Sequence, residues 1–193
     1  MLLAIDTSAG TSVAVLNTKV LAMATFDDPF GHAENVGIAI AEAMTKAGVT
    51  ASEITAVAIG RGPAPYTGLR VGMAAGLAFA QARGIPTYGV MVLDAVAHSM
   101  STPKLLLHAD AKRKEVFVAG YESGVRTFGP AVMQPEELEG FAGYEKVQAV
   151  CDASMVGLFT LDQLAKGADL SDLSALYLRS PDVSPSPGKK VSG

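Results

Sequence analysis

Apolar residues in this chain fall into short runs broken by glycine, proline and single acids, and the period within the runs changes along the sequence. Residues 1–6 (Met-Leu-Leu-Ala-Ile-Asp) read as a buried strand that ends on an acid. Residues 11–17 alternate loosely around Val13, Val15 and Leu16, and 20–26 form a third strand after the turn Asn17-Thr18-Lys19. Between 32 and 47 the period lengthens: Val36, Ile40, Met44 and Ala47 recur at helical spacing, and Gly48 closes the helix. A short apolar strand at 56–60 leads into a Gly/Pro loop at 61–66. A helix over 67–82, a strand over 86–90 and a helix over 91–100 complete the order β-β-β-α-β-α-β-α.

After Pro103 a similar order begins again. Residues 104–109 predict a strand ending at Asp110, 115–121 and 126–133 two more strands, 135–139 a short helix, 147–152 a strand and 155–165 a helix. Each half thus opens with a strand that delivers an aspartate, Asp6 or Asp110, into a small-residue turn. A duplicated β-β-β-α-β-α unit is the architecture of the actin and ribonuclease H-like superfold shared by sugar kinases and chaperone ATPases. The fold expected is therefore α/β with two such lobes: residues 1–102, and a degenerate second lobe, short of helix, over 103–180. A Ser/Pro/Gly-rich tail at 181–193 is expected to be flexible.

Composition narrows the function. With 49% apolar and 18% charged residues among 193, the chain belongs with compact globular proteins. No apolar run approaches the about 18 residues a membrane helix needs, and the start lacks the basic flank of a signal peptide. The one cysteine, Cys151, fits a reducing cytoplasm. The net charge of −4 argues against a protein that grips nucleic acid alone, because phosphate neutralisation supplies most of that affinity. Any link to nucleic acid is expected to run through a partner.

Four groups of residues carry candidate chemistry. Asp6, Thr7, Ser8 and the residues through Ser12 place an acid, hydroxyls and a glycine in one hairpin. Such a loop can hold a phosphate through backbone N–H groups, and the same residues also favour a plain hydrogen-bonded turn. The matching Asp110 brings the nucleotide reading level with the turn. In the second group, Gly68, Gly72, Gly76 and Ala80 form a row on the helix behind the 61–66 loop, with Leu69 and Met73 beside it and Thr67 as candidate N-cap. Helical glycine costs about 1 kcal/mol relative to alanine, so the row implies close approach of a neighbour, either inside the lobe or across a subunit interface. The interface reading adds Val36, Ile40 and Met44 of the preceding helix to the same surface. The histidines form the third group. Asp94 and His98 stand at i and i+4 as a structural pair without the companions a zinc site needs. His32 reads as an exposed helix start and His108 as a core histidine. Lastly, Lys112-Arg113-Lys114 reads as a solvated basic hairpin loop.

Several segments together resemble the bacterial TsaB family. Leu3-Ala4-Ile5-Asp6-Thr7-Ser8 is similar to its opening, and Gly62-Pro63-Ala64-Pro65-Tyr66-Thr67-Gly68-Leu69-Arg70-Val71-Gly72 to its central loop, where the family shows Gly-Ser-Phe ahead of Thr-Gly-Leu-Arg. Asp110-Ala111-Lys112-Arg113-Lys114-Glu115-Val116-Phe117 resembles its Asp-Ala-Arg-x-x-Glu-Val-Tyr segment, and Tyr177-Leu178-Arg179 its C-terminal signature. The resemblance implies a non-catalytic subunit of the system that forms threonylcarbamoyladenosine beside the tRNA anticodon. Its implied partners are a catalytic TsaD-like paralogue and a TsaE-like ATPase, with a homodimer when alone. Where the paralogue reads Gly-Val-Asn-His-Met-Glu-Gly-His, this chain reads Gly89-Val90-Met91-Val92-Leu93-Asp94-Ala95-Val96, so both metal-binding histidines fall on valines. No metal and no tightly bound cofactor are expected, and ATP or ADP at most weakly at Asp6, Thr7, Ser8 and Asp110. The alternative is an enzyme, either a small actin-fold kinase or a metallopeptidase-like protein.

Overall fold

The computed structural model describes residues 1–28 and 30–178. Arg179 and the tail expected at 181–193 lie outside the described residues. The first half contains β1 (Leu2–Asp6), β2 (Thr11–Leu16), β3 (Val20–Phe26), α1 (His32–Ala47), β4 (Ala56–Gly60), α2 (Tyr66–Arg83), β5 (Thr87–Val90) and α3 (Val92–His98). Its sheet has the order β3-β2-β1-β4-β5, with β1–β2–β3 antiparallel and β1–β4–β5 parallel. The second half contains β6 (Lys104–Asp110), β7 (Val116–Glu122), β8 (Val125–Met133), β9 (Glu145–Gln148) and α4 (Ala153–Ala165). Its sheet runs β8-β7-β6-β9, again three antiparallel strands with a parallel fourth against the first. The duplication is therefore real at the level of strand order. The helix that precedes the fourth strand is eroded in the second half to a 3-10 turn at Pro135–Gly140.

Both faces of β1 are buried, and the two-residue period of a strand sorts its side chains. Leu3 and Ile5 pack with Val13 and Val15 of β2 beneath α1 and α2. Leu2 and Ala4 pack with Ala14 and Leu16 toward α3, α4 and the second sheet. Asp6 continues the Leu2–Ala4 parity, so its carboxylate falls on the side facing the second half. Helix α4, which follows β9 in sequence, lies on the first sheet. Its Gly157 approaches so closely that a Cβ there would collide with the Leu16 side chain.

Several local expectations need correction. The strand expected at 147–152 is Glu145–Gln148, because Asp152 is instead the N-cap of α4 and accepts from Ser154 N at 2.8 Å and Met155 N at 3.1 Å. Thr67 lies within the first turn of α2, whose N-cap is Pro65 without a side-chain cap. A short 3-10 turn at Ala51–Glu53 went unread.

Candidate functional site: the cleft between two hairpins

The β1–β2 and β6–β7 hairpins occupy equivalent places in the two halves, and each turns on its strand-end acid. Asp6 Oδ2 accepts from Ser8 N at 3.1 Å and Ser8 Oγ at 2.7 Å. Asp110 Oδ1 accepts from Lys112 N at 2.7 Å, and its Oδ2 holds Lys112 Nζ at 2.9 Å. Both are Asx-type turns in which the carboxylate ties down the backbone two residues on. Their settings differ sharply. Asp6 is 2% exposed, whereas the Asp110 side chain is 59% exposed. Burial pushes the Asp6 carboxyl up to about 6, opposed by its Ser8 hydrogen bonds and reinforced by the nearby Asp152. The Lys112 contacts hold Asp110 below the usual carboxylate range.

A narrow cleft opens between these hairpins. Ser8 and Ala9 line one side, Ala109, Asp110 and Phe117 the other, and Pro63, Ala64 and Pro65 of the loop before α2 form a wall. Val92, Leu93 and Val96 of α3, with Ala149 and Cys151, complete the lining. Its cavity volume is about 30 Å³, room for a water or two and far below the ~300 Å³ at which ligand pockets begin. Burial, then Asp6 and Asp152, push the Cys151 thiol well above its ordinary pKa, so the group is a packed thiol rather than a nucleophile.

Of the residues expected at a nucleotide loop, Ser8 and Asp110 reach the cleft. Thr7 is buried and donates to Gly68 O of α2 at 2.8 Å, while Asp6 lies below the lining with its Oδ1 unpartnered. Reading residue by residue missed Asp152 and the place of Cys151 in the cleft, and it did not foresee what Ser12 of the candidate hairpin binds. Ser12 Oγ accepts from Ala153 N at 2.8 Å and fastens the start of α4 to the first hairpin. The signal for Asp152 was the helix-start order Asp-Ala-Ser that follows Cys151.

The glycine row calls for the main correction. Gly68, Leu69, Gly72, Met73, Gly76 and Ala80 are all buried within this chain. A Cβ at Gly72 would strike Thr7, and one at Gly76 would strike Ile59. The row therefore lets α2 lie close on β1 and β4, and it does not face a partner. Val36 is likewise buried, and Ile40 and Met44 pack half-buried against the same core. What the two helices expose is the opposite side. Ile38 is 56% and Leu77 37% exposed, beside exposed Gly37, Ala41, Ala74 and Ala78.

The histidines also pair differently from their spacing. Asp94 accepts from Tyr121 Oη at 2.9 Å and lies 3.8 Å from Arg126 Nε, and desolvation raises its carboxyl. His98 meets Asp162 at 3.8 Å. His32 is half-buried, with Nδ1 3.0 Å from Thr11 Oγ1. His108 is half-buried, and desolvation lowers its pKa. Lys112, Arg113 and Lys114 are exposed as expected, and all three adopt positive φ. Among the described residues, no three His, Cys, Asp or Glu side chains converge as a metal site, and no helix is long and apolar enough to cross a membrane.

Comparison with known proteins places this geometry. The family model for TsaD, tRNA N6-adenosine threonylcarbamoyltransferase, matches residues 30–176. An uncharacterised protein of Mycobacterium tuberculosis is 34% identical over 198 residues, covering 95% of this chain and 93% of that one. The tRNA threonylcarbamoyladenosine biosynthesis protein TsaB of Escherichia coli is 29% identical over 126 residues, covering 63% of this chain and 54% of that protein. The structure of YeaZ from Pseudomonas aeruginosa superposes with a TM-score of 0.76 at 23% identity, over 92% of this chain and 99% of that one. With its family match over most of its length, the chain belongs to the TsaD family, is similar within it to TsaB and shares the fold of YeaZ.

Proposed function

We propose that this chain is the non-catalytic partner subunit of a threonylcarbamoyl-transfer system acting on tRNA, pairing with a TsaD-like catalytic paralogue in the cytoplasm. The observation that carries the reading is the cleft: it is closed to about 30 Å³ and faced by Val92 and Val96. Two β-branched apolar side chains cannot ligate a metal, and they stand where the paralogue's sequence carries its histidines. Nucleotide, on this reading, is held weakly or only within the assembly. A TsaE-like ATPase docks on the pair, and tRNA is engaged through the complex rather than by this acidic chain.

The outer side of α1 and α2 suits the paralogue. Gly37 lies in mid-helix with open space around it, so nothing inside this chain offsets the about 1 kcal/mol that helical glycine costs. Ile38, Ala41, Ala74, Leu77 and Ala78 give the same side a charge-poor, small-residue surface that a second helix pair can approach closely. The paralogue shares the fold and so presents the equivalent helices, and a second copy of this chain competes for the same surface. Size-exclusion chromatography of the chain mixed with its purified paralogue tests the pairing. The native chain is expected to co-elute as a stoichiometric complex and Ala41→Arg to elute separately. Co-elution of Ala41→Arg would place the pairing surface elsewhere.

A further inference from the structure

Residues 168–178 contain no helix or strand, yet their contacts converge on the loop that walls the cleft. Leu170 O accepts from Gly89 N of the edge strand β5 at 2.9 Å, and Leu176 N donates to Arg61 O at 2.8 Å. The Arg61 guanidinium reaches into the segment, donating to Ser174 O at 3.0 Å and pairing with Asp172 Oδ2 at 2.9 Å. Gly89 is what admits the segment, because a Cβ there would collide with Asp172 O. At the far end the Tyr177 ring packs 4.8 Å from Tyr66, and its hydroxyl accepts from Arg70 Nε at 2.9 Å. The Arg70 guanidinium in turn stacks 3.7 Å over Tyr66. Arg61 and Tyr66 bracket Pro63, Ala64 and Pro65, the wall of the cleft.

We propose that residues 168–178 form a latch that holds this wall shut, and that releasing the latch opens the cleft beneath it. The proposal deepens the reading of the cleft as the chain's vestigial ligand site and rests on that reading. The fastenings are few: two backbone hydrogen bonds from a segment outside both sheets, and an ion pair whose Asp172 side chain is 61% exposed. A segment without helix or strand of its own opens at a free energy below that of the core strands, and the pair is open to solvent on its Asp172 side. Leu173 and Ala175 pack half-buried on one core and Leu176 on the other, so the closed position is preferred without being rigidly fixed. When the segment lifts, the Arg61 carbonyl and guanidinium lose Leu176, Ser174 and Asp172, and Tyr66 loses the Tyr177 ring from one side. The wall then keeps only its own fastenings, Arg61 N to Val90 O at 2.8 Å and Val92 N to Gly62 O at 2.9 Å among them, and loses the segment's hold on both sides.

Cys151 supplies the reporter. It is the only cysteine of the chain, it is buried, and it lines the cleft behind the wall. The experiment measures the rate at which Ellman's reagent labels the native full-length chain, Gly89→Ala and Tyr177→Ala. Each protein's urea stability and the hydrogen exchange of the Gly89 and Leu176 amides are recorded alongside. Gly89→Ala pushes the segment off β5 without touching the cleft lining, and Tyr177→Ala removes an exposed ring whose loss the core tolerates. Both variants are expected to label roughly ten-fold faster, with faster exchange of the two amides and little change in global stability. Unchanged labelling in variants whose two amides exchange quickly would overturn the latch, because the segment would then be off while the wall stayed closed. Labelling that rises only in proportion to lost global stability would overturn it too. Neither readout involves the paralogue or tRNA, so a failed latch leaves the pairing reading to be judged on its own test.

Discussion

Oδ1 of Asp6 occupies the space that a side chain at Gly60 would take, and it has no hydrogen-bond partner there. The parallel pairing of β1 with β4 brings the ends of the two strands together, Ile5 opposite Ile59, so the acid at the end of one needs a glycine at the end of the other. Gly60→Ala is expected to cost about 1–3 kcal/mol of stability, the usual range for overpacking a close-packed site. The loss should shrink when Asp6→Ala removes the colliding carboxylate. A double-mutant cycle by urea denaturation measures this, and a coupling of about 1 kcal/mol is expected. Additive losses would mean that Gly60 is required for another reason.

The same burial gives Asp6 a pH signature. Its folded pKa of about 6 lies above the ordinary 3.8, so the folded state binds more protons than the unfolded state between these values. Stability must then fall as pH rises through about 4 to 6, and the full effect is on the order of 3 kcal/mol. Acids with depressed pKa values, such as Asp162 and Asp110, act in the opposite direction at lower pH. The informative quantity is therefore the difference between the native chain and Asp6→Asn, followed by urea denaturation from pH 4 to 7. Relative to the native chain, Asp6→Asn should gain stability across that window. A flat difference would show that Asp6 titrates alike folded and unfolded.

The two sides of α2 should answer differently to substitution. Gly76→Val drives a side chain into Ile59, and a loss of about 2–4 kcal/mol is expected from overpacking and backbone displacement. Ile38→Asp lies on the exposed side of α1 and should change stability by no more than about 0.5 kcal/mol. Thermal melts separate the two. A severe loss from Ile38→Asp would indicate that this face is already packed within the chain.

Tyr121 and Asp94 join the second sheet to α3. Tyr121→Phe keeps the ring and removes the donor, leaving a half-buried carboxylate to Arg126 alone. A loss of about 1–2 kcal/mol is expected, typical of a hydrogen bond to a charged group. Urea denaturation of Tyr121→Phe reads it directly, and a neutral result would mean that water replaces the hydroxyl.

Strand order was legible because it depends on local pattern. The runs that became β1 to β4 carry either strict apolar continuity or two-residue alternation, and single glycines or acids end them where the sheet ends. The row Gly68, Gly72, Gly76 also announced a close approach correctly. It did not say from which side, because small residues make room equally for a sheet beneath and a partner above, and here the Thr7 and Ile59 side chains fill the room. Asp94 and His98 show the complementary weakness. Their i, i+4 spacing is sound, but Tyr121, Arg126 and Asp162 lie far along the chain and outcompete the local pair. The segment 168–178 had no periodic signal at all, since its order comes from contacts with Arg61, Gly89 and Tyr66.

The central claim is that this chain supports transfer without performing it, and reconstituted threonylcarbamoyl transfer to tRNA tests it most directly. The assay contains the TsaD-like paralogue, the ATPase subunit, tRNA and the activated threonylcarbamoyl donor, with the chain added, omitted or replaced by Ala41→Arg. The account predicts no transfer by the chain without its paralogue, a strong rise in the paralogue's rate when the chain is added, and loss of that rise with Ala41→Arg. Turnover by the chain alone, or a paralogue rate indifferent to its presence, would contradict the account.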